Sequence, residues 1–145
     1  MAEPRALSPT DVSALLRRAA GHHQRGELAA AEALYAEALR HAPDHFDALH
    51  LYGVLKHQRG QSVEALRLIA AALRANASVP AAYSNYSIVL SVLARHDEAM
   101  DACERAIALK PDYAEAYNGR GNALRALKRV EQALADYDRA LNLRP

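Results

Sequence analysis

The sequence predicts an all-α fold of about four helix-turn-helix repeats with no sheet. Three observations carry that expectation. The stretch Pro111 to Pro145 begins and ends on proline, and much of it reappears when the 145-residue chain is shifted back by 34 residues, and then by 34 again. Self-similarity at a fixed period of this size marks a repeat architecture. Each period holds two helical patterns split by a short polar turn, and no segment alternates apolar and polar residues over a strand's length.

In register, the windows are 12–45, 46–79, 80–113 and 114–145, preceded by a tail and helix cap over residues 1–11. Small residues recur early in each window (Ala19, Gly53, Ser87, Gly121) and twice later, at Ala31, Ala65, Ala99 and Ala133, then at Ala38, Ala72, Ala106 and Ala140. Large apolar columns run between them: Leu15, Leu49, Tyr83 and Tyr117, then Tyr35, Ile69, Cys103 and Tyr137. The small columns are read as places where two helices approach closely, so a bulky residue there would overpack the contact, at a cost of roughly 1–3 kcal/mol.

The elements follow in order. Met1 to Leu7 lacks periodicity and reads as a loose tail. Ser8-Pro9-Thr10-Asp11 is a helix start, because the Ser8 side chain can cap free N–H groups, Pro9 suits the first turn and Asp11 can return a capping-box bond. That helix runs to about Gln24 and Gly26 ends it; a second runs from about Leu28 to His41 and Pro43 closes the unit. In the second window Asp44 is the expected cap of a helix from about His45 to Gln58. Gly60 breaks it, and Ser62 is placed to cap a helix ending near Ala75. The third window gives helices from about Val79 to Leu93 and Asp97 to Leu109, with Ala94-Arg95 in place of the glycine turn. In the fourth, Asp112 and Glu115 form a capping-box pattern ahead of a helix from about Tyr113 to Leu127, and the last helix runs from Val130 to Leu143. One such hairpin cannot bury its apolar face alone, whereas stacked hairpins can.

Composition narrows the function. The chain carries 18 basic and 17 acidic residues with no long run of either sign, so it lacks the basic stripe of a nucleic-acid binder. Cys103 is the single cysteine, which excludes an intramolecular disulfide and a cysteine cluster for zinc. The absence of a signal-like or membrane-length apolar run fits a cytoplasmic chain with no membrane insertion.

These columns resemble the tetratricopeptide repeat family. The likeness covers residues 12–145 and is strongest in the last window, at Tyr117, Gly121, Leu124, Ala133, Tyr137, Ala140, Leu141 and Pro145. It implies a right-handed superhelix of helix pairs, with the first helix of each pair lining a concave groove. The departures are Ala77 where proline is usual, Ala94 and Lys128 where a glycine turn is usual, and Arg18 and His22 at apolar places of the first window. Reading the implied groove face gives His50, Leu51, Val54 and His57 from the second window. Asn85, Ile88, Asn118, Asn122 and Arg125 come from the third and fourth. Leu51, Val54 and Ile88 would be apolar anchors; the asparagines could bond both N–H and C=O of an extended peptide, although amides are also ordinary solvated helix residues.

The set of lysines, arginine and asparagines by which some members grip a chaperone's C-terminal carboxylate is absent here. Of the asparagine ladder of protein O-linked N-acetylglucosaminyltransferases only Asn85 is present, with Arg17, Leu51 and Gly119 in the other places. Residues 45–75 are loosely similar to bacterial proteins that carry such repeats ahead of a glycosyltransferase domain. His23 and His57 share a column and His50 lies on the face of His57, yet no carboxylate or cysteine completes a metal set, so no metal and no cofactor are expected. No nucleophile and histidine stand in a catalytic pattern and no glycine loop cradles phosphate, so no enzyme is expected in this chain. The expected function is a scaffold that binds a protein partner's peptide or helix in its groove; the alternative is the substrate-recruiting N-terminal region of a longer enzyme, a protein O-linked glycosyltransferase. Tyr137 and Leu141 of the last window are expected to face a missing next helix, which offers a surface for self-association.

Overall fold

The computed structural model describes residues 7–144 as eight α-helices: α1 (Pro9–Gln24), α2 (Leu28–His41), α3 (Phe46–Gln58), α4 (Ser62–Ala75), α5 (Pro80–Val92), α6 (His96–Leu109), α7 (Ala114–Ala126) and α8 (Val130–Leu143). Most of the expected tail, and the closing Pro145, lie outside the described residues. No strand occurs among those described. The helices form four antiparallel hairpins, and their contacts divide the chain into two units, Met1–Ala75 and Asn76–Pro145. The sequence suggested one uninterrupted array; the division falls at the Asn76-Ala77-Ser78 connector, the one repeat end without proline.

Every hairpin turns its corner in the same way. Gly26, Gly60, Ala94 and Lys128 stand 34 residues apart, and all have positive φ, between 59° and 77°. Around each, two backbone bonds close the preceding helix. Gly26 N–H donates to His23 C=O and Glu27 N–H to His22 C=O, at 3.1 and 2.9 Å. Lys128 and Arg129 donate likewise to Arg125 and Leu124, at 3.0 and 2.8 Å. These satisfy carbonyls that the helix end would leave bare. The corner is thus kept where its glycine is lost.

Helix starts agree less evenly with the sequence. Ser8 and Asp11 form the expected capping box, at 3.1 and 3.2 Å. Asp44 is not the cap of α3. His45 occupies that position in an extended conformation, and its Nδ1 accepts from Ala48 N–H at 3.4 Å. Asp112 does not cap α7 either: Tyr113 N–H turns back to Lys110 C=O, which leaves Tyr113 at the cap, and Glu115 pairs with Arg144 instead of closing a capping box. Ser62 is the first residue inside α4, with its hydroxyl 3.5 Å from His57 Nδ1. Before α3 and α7 the turn ends one residue later than the aspartate that could have capped, whereas α4 starts one residue early and takes Ser62 into its first turn.

The small columns are the seams of the hairpins. Ala19, Ala31, Ala38, Ala65, Ala72, Ala99 and Ala106 are fully buried. A Cβ on Gly53 would lie 2.6 Å from Ile69 Cγ1, and one on Gly121 would lie 2.7 Å from the Tyr137 ring. In the first unit Val12, Leu15, Leu16, Tyr35 and Leu55 fill the core, with the Tyr35 and Tyr52 rings stacked at 6.0 Å. In the second, Val89, Leu90, Cys103 and Leu124 are buried among the alanines of α6, α7 and α8.

Candidate functional site

The expected groove residues are placed differently in the two units. In the first, α3 turns His50 and Leu51 inward. His50 is only 9% exposed, its ring lies 5.5 Å from that of Phe46, and burial pushes its imidazole pKa down against a smaller upward pull from Asp47. Leu51 packs against the first unit's core. Val54 and His57 are half-buried, the latter beside Ser62. His23, in the same column as His57, has Nε2 at 2.6 Å from Gln58 Oε1 and Nδ1 at 3.1 Å from the Tyr35 hydroxyl. An amide oxygen only accepts, so Nε2 donates and Nδ1 accepts from Tyr35. These side chains are joined to one another across α1, α2 and α3.

In the second unit α5 and α7 bring four of the expected residues together. Asn85, Ile88, Asn118 and Asn122 line one open cavity of about 350 Å³ with Ala81, Ser84, Tyr113, Glu115 and Gly119. The spacing does this: residues 85 and 88 on α5, and 115, 118 and 122 on α7, are three or four apart and share a face on each helix. Ile88 is 46% exposed, large for an isoleucine on a packed helix. Asn122 Oδ1 accepts from the Tyr137 hydroxyl at 2.7 Å, which fixes the amide and leaves its N–H groups to the cavity. Gly119 brings α7 close: a Cβ there would sit 2.9 Å from Cys103 Sγ and 3.3 Å from Ser87 Oγ. Arg125, one turn beyond Asn122, is exposed and does not line the cavity.

The sequence reading missed two features here. Tyr113 lines the cavity from the start of α7, its hydroxyl hydrogen-bonded with Ser84, its ring under the Lys110 ammonium at 5.4 Å, and its pKa raised by burial. No aromatic precedes it in the column, where Val79 and His45 stand, so the register gave no signal. The second is a cavity of about 360 Å³ lined by Met100, Glu104, Arg120, Leu124 and Asp136, among others, where Arg120 grips the buried Asp136 through two bonds of 2.8 and 2.9 Å. A charged pair at these positions departs from the alanine at 102 and the tyrosine at 86, and that departure was the available signal.

Three family models, each described as tetratricopeptide repeat, match residues 22–85, 58–114 and 114–145, so that together they run from 22 to 145. The chain belongs to the tetratricopeptide repeat family. Solved tetratricopeptide-like neighbours agree on the fold. A crystal structure of MamA superposes with a TM-score of 0.85 at 21% identity, covering 94% of this chain and 80% of that one. The MamA structure designated MSR-1 superposes at 0.80 and 20% identity, covering 98% and 80%. At these identities the likeness shows the fold. No curated protein matches the chain. Among the described residues no group of three His, Cys, Asp or Glu side chains could hold a metal ion, and no helix is long and apolar enough to cross a membrane.

Proposed function

We propose that this tetratricopeptide domain is a protein-interaction scaffold whose second unit binds an extended peptide of a partner between α5 and α7. The observation that carries the reading is the cavity where an exposed Ile88 stands beside the amides of Asn85, Asn118 and Asn122. Ile88 offers an apolar anchor. Asn118 presents a donor and an acceptor, and Asn122, held through its oxygen by Tyr137, presents donors to a peptide carbonyl. Backbone recognition of this kind gives affinity, and the apolar anchor and cavity shape give selectivity.

The experiment selects binders from a random peptide library displayed against the purified chain and measures their affinity by calorimetry. Asn118→Ala with Asn122→Ala, and separately Ile88→Glu, are expected to weaken the selected peptides by about tenfold each, the equivalent of about 1.4 kcal/mol. Thermal midpoints should stay near the parent's, because these side chains face solvent. Unchanged affinity in both variants would remove the peptide from this groove.

A further inference from the structure

The seam formed by α6, α7 and α8 differs from its counterpart in the first unit. There Glu32 of α2 accepts from Tyr52, Lys56 and Arg59, so the charges close on one another. Two repeats on, Met100 stands for Glu32 and Leu124 for Lys56, while Arg120 stands for Tyr52 and Asp136 for Leu68. A shielded ion pair adds little stability over apolar residues of the same volume, and this one borders open space. Met100, Glu104, Arg120, Leu124, Arg129 and Asp136 line a cavity of about 360 Å³. Its charges are incompletely matched. Arg120 commits Nε and Nη2 to Asp136, which leaves Nη1. Arg129 pairs with no carboxylate: its Nε donates to Gln132 Oε1 at 2.6 Å and its Nη1 lies 3.9 Å from Met100 Sδ, which leaves Nη2. Glu104 has no ion-pair partner among the described residues. The Asp136 bond chiefly, and the Glu104 charge in smaller part, push the Arg120 pKa up, so Glu104 acts on that guanidinium without pairing with it.

We infer that this cavity binds a free α-amino acid with an apolar side chain. The uncommitted nitrogens of Arg120 and Arg129 hold its carboxylate, Glu104 holds its ammonium, and its side chain lies on Met100 and Leu124. The four formal charges around the cavity cancel, which favours a zwitterion. A simple anion would occupy the guanidinium nitrogens but bring a like charge to Glu104 and leave that carboxylate unmatched. A residue inside a peptide chain lacks both charged groups and cannot match the site. The volume, at the small end of ligand pockets, also suits a single small molecule.

The probe is L-leucine, titrated into the full chain while backbone amide shifts are followed by NMR. It should bind saturably, with the largest shifts around Met100, Glu104 and Arg129. Isocaproate lacks the ammonium and isoamylamine lacks the carboxylate; each should bind about tenfold or more weakly, the loss expected for one charge-assisted bond. L-Leucine should lose affinity to the same extent when the chain carries Glu104→Gln or Arg129→Gln. Both side chains are exposed, and circular dichroism checks that the variants keep their helices. No saturable binding of L-leucine overturns the assignment. So does isocaproate binding as tightly as L-leucine, which would leave a plain anion site. N-acetyl-leucinamide binding as tightly would overturn it too, giving the cavity to a partner's side chain. L-Leucine affinity unchanged in both variants would remove the ligand from this cavity.

Discussion

At the scale of single residues, the four left-handed corners are the clearest case of geometry outlasting its preferred residue. Gly26 and Gly60 adopt positive φ without steric penalty, but Ala94 and Lys128 hold the same conformation with a Cβ. Left-handed backbone costs a non-glycine residue roughly 1–2 kcal/mol, and the greater freedom of glycine in the unfolded chain returns about 0.4–1 kcal/mol of that. Ala94→Gly and Lys128→Gly should each therefore stabilise the chain by about 0.5–1 kcal/mol, and Gly26→Ala should destabilise it by a similar amount. Denaturant midpoints at fixed m-value test all three; a loss of stability in Ala94→Gly would mean that the corner is not what that residue strains against. The sequence made these positions legible, because the register puts them in the glycine column. It made the Ser8–Asp11 capping box legible, but not the caps of α3 and α7. Asp44 and Asp112 have the right chemistry, but the turn before them runs one residue further, a choice set by the Ala42–His45 and Lys110–Tyr113 bonds and not by side-chain preference.

At the scale of elements, α2 and α3 are joined by a polar contact that periodicity does not register. Glu32 accepts from Lys56 and Arg59 at 2.5 Å each and from the Tyr52 hydroxyl at 3.2 Å, with its side chain and that of Lys56 largely shielded from water. The Lys56 bond, more than any other cause, holds the Glu32 carboxyl below the usual carboxylate range, and the same bond raises Lys56. A carboxylate lowered by folding adds stability above its unfolded pKa, about 4.3, and that part is lost as pH falls through the lower folded value. Glu32→Gln should cost about 1 kcal/mol near pH 7, and the difference from wild type should shrink as acid titrates the parent. Urea unfolding of both proteins at pH 7 and pH 3.5 measures this; a gap that is equal at the two values would remove Glu32 from the acid response. Of the candidate groove, the α5–α7 half was legible because Asn85, Ile88, Asn118 and Asn122 follow helical spacing on one face. The α3 half was not. His50 and Leu51 have the right spacing, but the turn of α3 onto the packed first unit buries His50 and lays the half-buried Leu51 against the core, and spacing alone cannot say which of two adjacent faces meets the core.

At the scale of the whole molecule, stability is spread over many small seams and the chain has no cross-link. Its lone Cys103 is fully buried in the second unit, with its thiol pushed up by that burial. A thiolate reagent should therefore label the native chain at least ~100-fold more slowly than the unfolded chain, and the rate should rise with denaturant along the unfolding of the second unit. Native labelling near the unfolded rate would show that α6 and α7 part easily. The helix count, the hairpins and their small seams were all readable from the 34-residue register, since each is a local pattern. The division after Ala75 was not, because it depends on which contacts the connectors permit.

The connectivity of the helices has a consequence for how the chain reaches this state. Within each unit every helix touches only the next one along or the one after that. Closing such contacts needs only short loops, and the entropy of loop closure is correspondingly low. Search time then stops scaling with chain length: each hairpin can form at its own rate, in the microsecond to millisecond range of helical domains with local contacts, and a neighbour can dock on it without waiting for a distant segment to arrive.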